Sequence, residues 1–141
     1  MIITGAGKGI GRACAQLMAA RGADVIALSR TASDLDSLRK DIGGRSIAVD
    51  LADAGATRVA MAEAGTADFL INSAGTNVLE SSFDMTDAGY EKVMGINLRA
   101  ALITCQAFGR ARVAAGGGGA IVNITSIAGH RGFTEHLCYA A

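Results

Sequence analysis

The sequence contains no proline and no tryptophan, and aromatic residues make up only 4% of its 141 residues. No apolar run reaches the ~18 residues that a membrane-spanning helix requires, so we expect no membrane association. Neither sign of charge is in excess, because 13 basic residues balance 13 acidic ones. This balance argues against a surface that binds nucleic acid or lipid through bulk charge. The length fits one domain with a core of ordinary size.

The sequence also lacks the paired cysteines of a disulfide framework or a zinc site. Cys14, Cys105 and Cys138 are odd in number, lie far apart and form no C-x-x-C pair. They predict reduced thiols in a cytosolic protein and no metal site. The first residues, MIITGAGKGIG, have neither the charged start nor the apolar stretch of a signal peptide. A cytoplasmic location is therefore expected.

Short apolar runs alternate with longer segments of helical periodicity along the chain. Nearly continuous apolar runs of this length are typical of strands buried on both faces. Their alternation with helices predicts an α/β fold, a doubly wound parallel sheet of about five strands with helices on both faces. We assign residues 1–141 to one dinucleotide-binding domain on this basis. The predicted strands are Ile2–Thr4, Val25–Leu28, Ile47–Val49, Phe69–Ile71 and Ala120–Ile124.

Apolar side chains at helical spacing predict the faces on which the helices pack. A helix with Ser33 as its N-cap and Gly43 at its end follows the second strand, and residues 52–65 form a weaker, alanine-rich helix. The predicted apolar faces are Ile10, Ala13, Cys14, Leu17 and Met18 in the first helix, Leu35, Leu38 and Ile42 in the second, and Leu98, Ala101, Leu102, Cys105 and Phe108 in a later one.

The stretch TGAGKGIG connects the first predicted strand to the first helix. Glycines in such a turn let backbone N–H groups approach a pyrophosphate at the positive end of a helix. The G-x-G-x-x-G fingerprint is not met, because it would need glycine at Ile10 or Arg12. A P-loop is not met either, because Gly9 follows Lys8 where Ser or Thr is required. The stretch fits T-G-x-x-x-G-x-G through Thr4, Gly5, Gly9 and Gly11.

This pattern resembles the glycine loop of the short-chain dehydrogenase/reductase family, and later positions fit the same family in order. The stretch LINSAG resembles the family's N-N-A-G motif, with Ser73 in place of the second asparagine. Asn97 in GINLRA matches a helical asparagine of the family, and Asp50 matches an acidic residue that contacts the adenine. Ser126 and Tyr139 stand 139 − 126 = 13 positions apart, as the family's serine and catalytic tyrosine are expected to. The resemblance implies a cofactor site formed by Gly5, Lys8, Gly9, Ile10, Gly11, Ser29, Arg30, Asp50, Leu51, Asn72, Ala74 and Gly75.

The end of the second predicted strand indicates which nicotinamide cofactor is bound. An Asp or Glu there would hold the ribose 2′-hydroxyl of NAD, whereas this chain has Ser29 followed by Arg30. A guanidinium suits phosphate oxygens, and Lys8 adds a second cation on the same side. Two solvated surface cations are the alternative, but an NAD site would then have to do without its acidic partner. We therefore expect NADP(H).

The resemblance implies an oxidoreductase that moves a hydride between NADP(H) and a small-molecule carbonyl or alcohol. Ser126 would hydrogen-bond the substrate oxygen, Tyr139 would transfer the proton, and Asn97 would support the proton relay. Tyrosine has an ordinary pKa of about 10, and the family lowers it with a lysine four residues on. That position is 139 + 4 = 143, beyond Ala141.

We therefore expect the sequence to be the N-terminal portion of a longer, homo-oligomeric enzyme and to be inactive by itself. The fifth strand is then expected to form an exposed parallel edge of the sheet, with apolar surface that promotes association.

The substrate class is less strongly indicated than the family. The stretch ALSRTASDLDSL resembles the same region of carbonyl and L-xylulose reductases, which favours polyol, sugar or small carbonyl substrates. A 3-oxoacyl-carrier-protein reductase is the alternative within the family, and a non-catalytic nucleotide-binding module is the alternative outside it. His130, Arg131 and His136 would line a substrate mouth or would be solvated loop residues.

Overall fold

The computed structural model describes all 141 residues and contains one five-stranded parallel sheet. The strands lie side by side in the order β3-β2-β1-β4-β5. The predicted doubly wound α/β fold is confirmed, and each strand end lies within two residues of its predicted position. The strands are β1 (Ile2–Thr4), β2 (Ile26–Ser29), β3 (Arg45–Ala48), β4 (Phe69–Asn72) and β5 (Ala120–Asn123).

Helices pack on both faces of the sheet and connect successive strands. A π-helical segment at Gly95–Ala100 joins α4 directly to α5, and a short 3₁₀ turn at Ile127–Gly129 follows β5. No helix is long and apolar enough to span a membrane. The α-helices are α1 (Gly9–Ala20), α2 (Ala32–Ile42), α3 (Ala54–Ala64), α4 (Asp87–Met94), α5 (Ala101–Ala114) and α6 (Leu137–Ala140).

The sheet separates two apolar layers. The larger layer holds 13 buried residues, among them Leu70 of β4 and Phe108 of α5, and includes residues of α3. The smaller layer holds seven, among them Ile3 of β1 with Leu35 and Leu38 of α2. Because β1 and β2 have a helix layer on either side, their side chains are apolar and buried except at their last residues, Thr4 and Ser29, as the sequence predicted.

The predicted face of α1 is wrong in part. Ile10 and Leu17 are 61% and 52% exposed, and the buried residues of this helix are Gly11 and Ala15. A Cβ atom at Gly11 would collide with the backbone of Gly5. The helix therefore packs through its smallest side chains, because only these let it approach the glycine loop closely.

The predicted face of the later helix is also wrong in part. Leu98 and Leu102 are 59% and 54% exposed, whereas Ile103 and Phe108 are buried. The preceding six residues are π-helical, and their i to i+5 hydrogen bonds change the phase of the helix relative to a 3.6-residue repeat. The helical-spacing rule therefore placed Leu98 and Leu102 on the buried face, whereas both are exposed.

Helix α2 begins two residues earlier than its predicted start. Thr31, not Ser33, is the N-cap, and its carbonyl oxygen accepts the first bond, from the N–H of Leu35 at 3.3 Å. The Thr31 side chain makes no capping hydrogen bond. The predicted end of α2 is confirmed, because Gly43 is its C-cap with φ +70°.

Strand β5 forms one edge of the sheet. All four of its residues are exposed, and Ile121 and Val122 remain 41% and 49% accessible. The expected exposed parallel edge is therefore present.

Candidate functional site

A cavity of about 450 Å³ opens where the carboxyl ends of β1, β2, β3 and β4 meet the loops that follow them. In doubly wound sheets, ligands bind at this edge, beside the point where the strand order reverses. The reversal lies here between β1 and β4, because β2 and β3 lie on one side of β1 and β4 and β5 lie on the other. Of the twelve residues expected to contact a cofactor, nine line this cavity: Gly5, Lys8, Gly9, Ser29, Arg30, Asp50, Leu51, Ala74 and Gly75.

The other three expected residues lie outside the lining. Ile10 is exposed at the start of α1, and Gly11 is buried beneath the glycine loop. Asn72 is 6% exposed and lies in a polar network below the cavity. Its amide nitrogen donates to Asn123 Oδ1 at 2.9 Å, and its Oδ1 accepts from the Thr104 hydroxyl at 2.7 Å. Asn72 thus ties β4 to β5 and α5, and its contact with a cofactor stays a prediction.

The glycine loop adopts a conformation that only a residue without a side chain allows. Gly5 has φ +67°, and a Cβ atom there would lie 2.8 Å from the backbone of Ala74. No side chain could occupy that position without separating the loop from the turn after β4. The close approach leaves the backbone at the start of α1 open to a ligand, where N–H groups attract anions.

Thr4 connects the glycine loop to the turn after β4. Its side chain is buried, and Oγ1 accepts hydrogen bonds from the N–H groups of Ser73 and Ala74 at 3.1 and 3.2 Å. Both donors are backbone groups. The serine that replaces the second asparagine of N-N-A-G therefore leaves this connection intact.

We expect Thr4→Val to destabilise the protein by about 1–3 kcal/mol, because two N–H groups lose their acceptor while the shape of the side chain is kept. Thr4→Ser retains the hydroxyl and should lose less than half as much. The free energy of unfolding from urea titration measures both. Equal losses for the two variants would show that the hydroxyl does not hold this turn.

Positive charge gathers at the β2 side of the cavity. Lys8 and Arg30 are exposed lining residues, and Arg30 forms no ion pair with a carboxylate. Lys8 Nζ lies 3.3 Å from Asp34 Oδ2. The sequence interpretation missed seven of the 16 lining residues, among them Thr31, Asp34 and Lys92. Thr31 directly follows Arg30 and Asp34 lies three residues after Thr31, so the early start of α2 could have indicated them.

Asn97 lies in the π-helical segment and holds the loop after β4. Its Oδ1 accepts from the N–H of Thr76 at 2.8 Å, and its Nδ2 donates to the carbonyl of Thr76 at 2.9 Å. Both side-chain groups are thus used on one backbone unit next to the cavity. A role in a proton relay stays a prediction for Asn97.

Ser126 and Tyr139 do not line the cavity. Ser126 Oγ accepts from the N–H of Ala128 at 3.2 Å and begins the 3₁₀ turn after β5. Tyr139 lies in α6, with its ring centroid 6.1 Å from that of His136 in an edge-on arrangement. The Nδ1 of His136 lies 2.6 Å from the carbonyl of Thr134 and therefore donates to it. The catalytic roles of Ser126 and Tyr139 stay predictions.

The remaining candidates for a substrate mouth lie on the surface. His130 and Arg131 are exposed, and the Arg131 guanidinium lies 5.3 Å from the ring centre of Phe133. The three cysteines are unpaired. No group of three or more His, Cys, Asp or Glu side chains is arranged to hold a metal ion.

Sequence comparison relates the whole chain to one family. The family model described as short chain dehydrogenase matches residues 1–141. The L-xylulose reductase of Bos taurus is 41% identical over 141 residues, which cover 99% of this chain and 58% of that protein. The chain thus spans somewhat more than half the length of this relative.

Solved structures share the fold over almost the full chain. One, described as a betaketoacyl-ACP reductase, has a TM-score of 0.93 and 37% identity and covers 99% of this chain and 59% of its own. A metagenomic short-chain oxidoreductase in complex with NADP has a TM-score of 0.91 and 30% identity, with coverages of 99% and 67%. Both similarities extend over the glycine loop, the cavity and the segment that carries Tyr139.

Proposed function

Because the chain belongs to the short chain dehydrogenase family, we propose that it forms the cofactor-binding part of an oxidoreductase that uses NADP(H) to interconvert a carbonyl and an alcohol. The observation that carries the proposal is the cavity at the carboxyl ends of β1 and β2, where the glycine loop meets Lys8 and Arg30. Family membership supports hydride transfer, and the arrangement of charges supports the cofactor.

The cavity suits NADP(H) better than NAD(H). A glycine loop held against Ala74 leaves room and free N–H groups for a pyrophosphate. At the end of β2, Ser29 offers a hydroxyl where an acidic residue would repel a 2′-phosphate, and Arg30 and Lys8 supply compensating charge. The bound cofactor would supply the hydride, and the protein residues would orient the substrate and move the proton.

We assign the proton transfer to Tyr139. Its hydroxyl would give a proton to the carbonyl oxygen of the substrate on reduction and take it back on oxidation. Ser126 would hydrogen-bond the same oxygen, and Asn97 would support the relay of protons. Ser126 follows β5 at the same edge of the sheet as the cavity, which supports this assignment.

The proposed substrates are small sugars, polyols or carbonyl compounds. The similarity to the L-xylulose reductase, at 41% identity, supports this class. A 3-oxoacyl-carrier-protein substrate is the second candidate, which the structure described as a betaketoacyl-ACP reductase favours. Since the chain spans 58% of the L-xylulose reductase, turnover and substrate choice are proposed for the whole enzyme, and binding is the property to test on this chain.

Cytoplasmic location and self-association are also part of the proposal. Three unpaired cysteines support a reducing compartment. Leu98 and Leu102, exposed one helical turn apart, and the open edge of β5 support a homo-oligomer.

The preference for NADP is tested by removing the cations one at a time. We expect Arg30→Ala and Lys8→Ala each to weaken the binding of 2′,5′-ADP by roughly 10-fold at low salt, since each removes a charge-assisted contact. Binding of 5′-AMP, which has no 2′-phosphate, should change less than about twofold. Calorimetric titration measures both ligands, with Arg58→Ala as control because Arg58 carries the same charge outside the cavity lining. Equal affinity of the unsubstituted chain for NADP and NAD at low salt would contradict the proposal.

A further inference from the structure

One acidic side chain lies within the basic end of the cavity. Asp34 lines the cavity, and its carboxylate forms the ion pair with Lys8 described above. A Cβ atom placed on Gly7 would lie 3.1 Å from Cβ of Asp34 and 2.7 Å from Oγ of Ser29. Asp34, Ser29 and Lys8 therefore share the corner that the proposed function assigns to the 2′-phosphate.

The ion pair of Asp34 contributes little to folding. The side chain of Lys8 is 78% exposed and that of Asp34 is 24% exposed, and exposed pairs of this kind are weak because water screens them. A lysine that remains solvated also gains little order from the pair. Stabilising the fold is therefore an insufficient reason for the carboxylate at this position.

The backbone of Asp34 is held in place independently of Lys8. Arg12 donates from Nη1 to the carbonyl oxygen of Asp34 at 3.1 Å and from Nη2 to Asp41 Oδ2 at 2.6 Å. Arg12 thereby joins α1 to both ends of α2. Because the backbone is anchored, Asp34 cannot move far away when an anion enters the corner.

We propose that Asp34 is a specificity-determining residue that limits the affinity of this site for a 2′-phosphate, an inference that rests on the proposed function. The fixed negative charge of Asp34 repels the phosphate and competes with it for the ammonium group of Lys8. The same carboxylate also holds Lys8 near the site, and this positioning opposes the repulsion. Repulsion outweighs this positioning, since the phosphate carries nearly two charges and the side chain of Lys8 is 78% exposed to screening water.

The test compares two isosteric substitutions on α2. Asp34→Asn removes the charge inside the cavity, and Asp36→Asn removes the same charge from a residue that pairs with Arg39 and lies outside the lining. We expect Asp34→Asn to tighten 2′,5′-ADP binding roughly three- to tenfold at low salt, with a smaller gain at high salt. Binding of 5′-AMP should stay within about twofold, and Asp36→Asn should leave both ligands within that range.

Each outcome decides between the inference and the proposed function. If the unsubstituted chain prefers 2′,5′-ADP but Asp34→Asn leaves this preference unchanged or weakens it, the NADP proposal stands and the role of Asp34 is overturned. An equal gain for both nucleotides also overturns it. If the unsubstituted chain does not prefer 2′,5′-ADP, the NADP proposal fails, and the role of Asp34 fails with it unless Asp34→Asn tightens 2′,5′-ADP binding selectively. Asp34→Ser, with a smaller neutral side chain, repeats the measurement, and the melting temperature verifies that each variant folds.

Discussion

Substitution of Gly11 by alanine is expected to weaken NADPH binding by roughly tenfold or more and to lower the free energy of unfolding by about 1–3 kcal/mol. The added Cβ would collide with the carbonyl oxygen of Gly5. Since a backbone group cannot rotate away as a flexible side chain does, α1 and the glycine loop must separate. The separation would displace the N–H groups at the start of α1 to which the proposed function assigns the pyrophosphate. Fluorescence titration with NADPH and urea denaturation measure the two effects.

Gly109 provides the matched control for this substitution. It lies within α5, and a Cβ atom there would meet nothing within 4 Å. Gly109→Ala should stabilise the protein by up to ~1 kcal/mol, because alanine favours the helix over glycine. Its effect on NADPH binding should be negligible. If Gly11→Ala behaved like Gly109→Ala, the close packing of α1 on the loop would not be a requirement of the site.

Truncation of Leu70 to alanine is expected to lower the free energy of unfolding by about 2–5 kcal/mol. Leu70 is fully buried in the larger apolar layer and lies in β4, in register with Ile2 of β1 and Ile121 of β5. Its removal leaves a cavity in the middle of the sheet that neighbouring strands cannot fill. Domains of this size are stable by only ~5–15 kcal/mol, so the variant should unfold at a markedly lower urea concentration.

Leu17 is the control for this truncation, because it is the same residue type and 52% exposed. Leu17→Ala should change the free energy of unfolding by no more than about 0.5 kcal/mol. A comparable loss in both variants would show that the loss at Leu70 does not come from its burial.

The strands could be predicted because burial on both faces of the sheet requires apolar side chains at consecutive positions of the chain. A strand such as Ile26–Ser29, whose first three residues are buried, must present apolar side chains in both directions, and this requirement appears in the sequence as a short uninterrupted run. The glycine loop was predictable for a similar reason, since Gly5 needs both a positive φ and the absence of a side chain. Local requirements of this kind specify residue types directly.

The helix faces were less predictable because they depend on what packs against them. Leu98 and Leu102 follow the expected spacing, yet a π-helical segment shifts the phase of the helix and leaves both exposed. On α1, the close approach to the loop selects Gly11 and Ala15 for the buried side instead of the larger Ile10 and Leu17. Neither condition can be read from spacing alone.

The sequence by itself determined the fold, the family and the glycine loop, because each rests on short motifs of residues close together in the chain. Only the tertiary structure decided that Thr4 holds the turn after β4, that Asn72 lies in a network below the cavity, and that Asp34 lies beside Lys8. These contacts join residues from 26 (34 − 8) up to 70 positions apart in the chain. Packing of the strands and helices brings these residues together, and no local sequence pattern predicts which residues will be in contact.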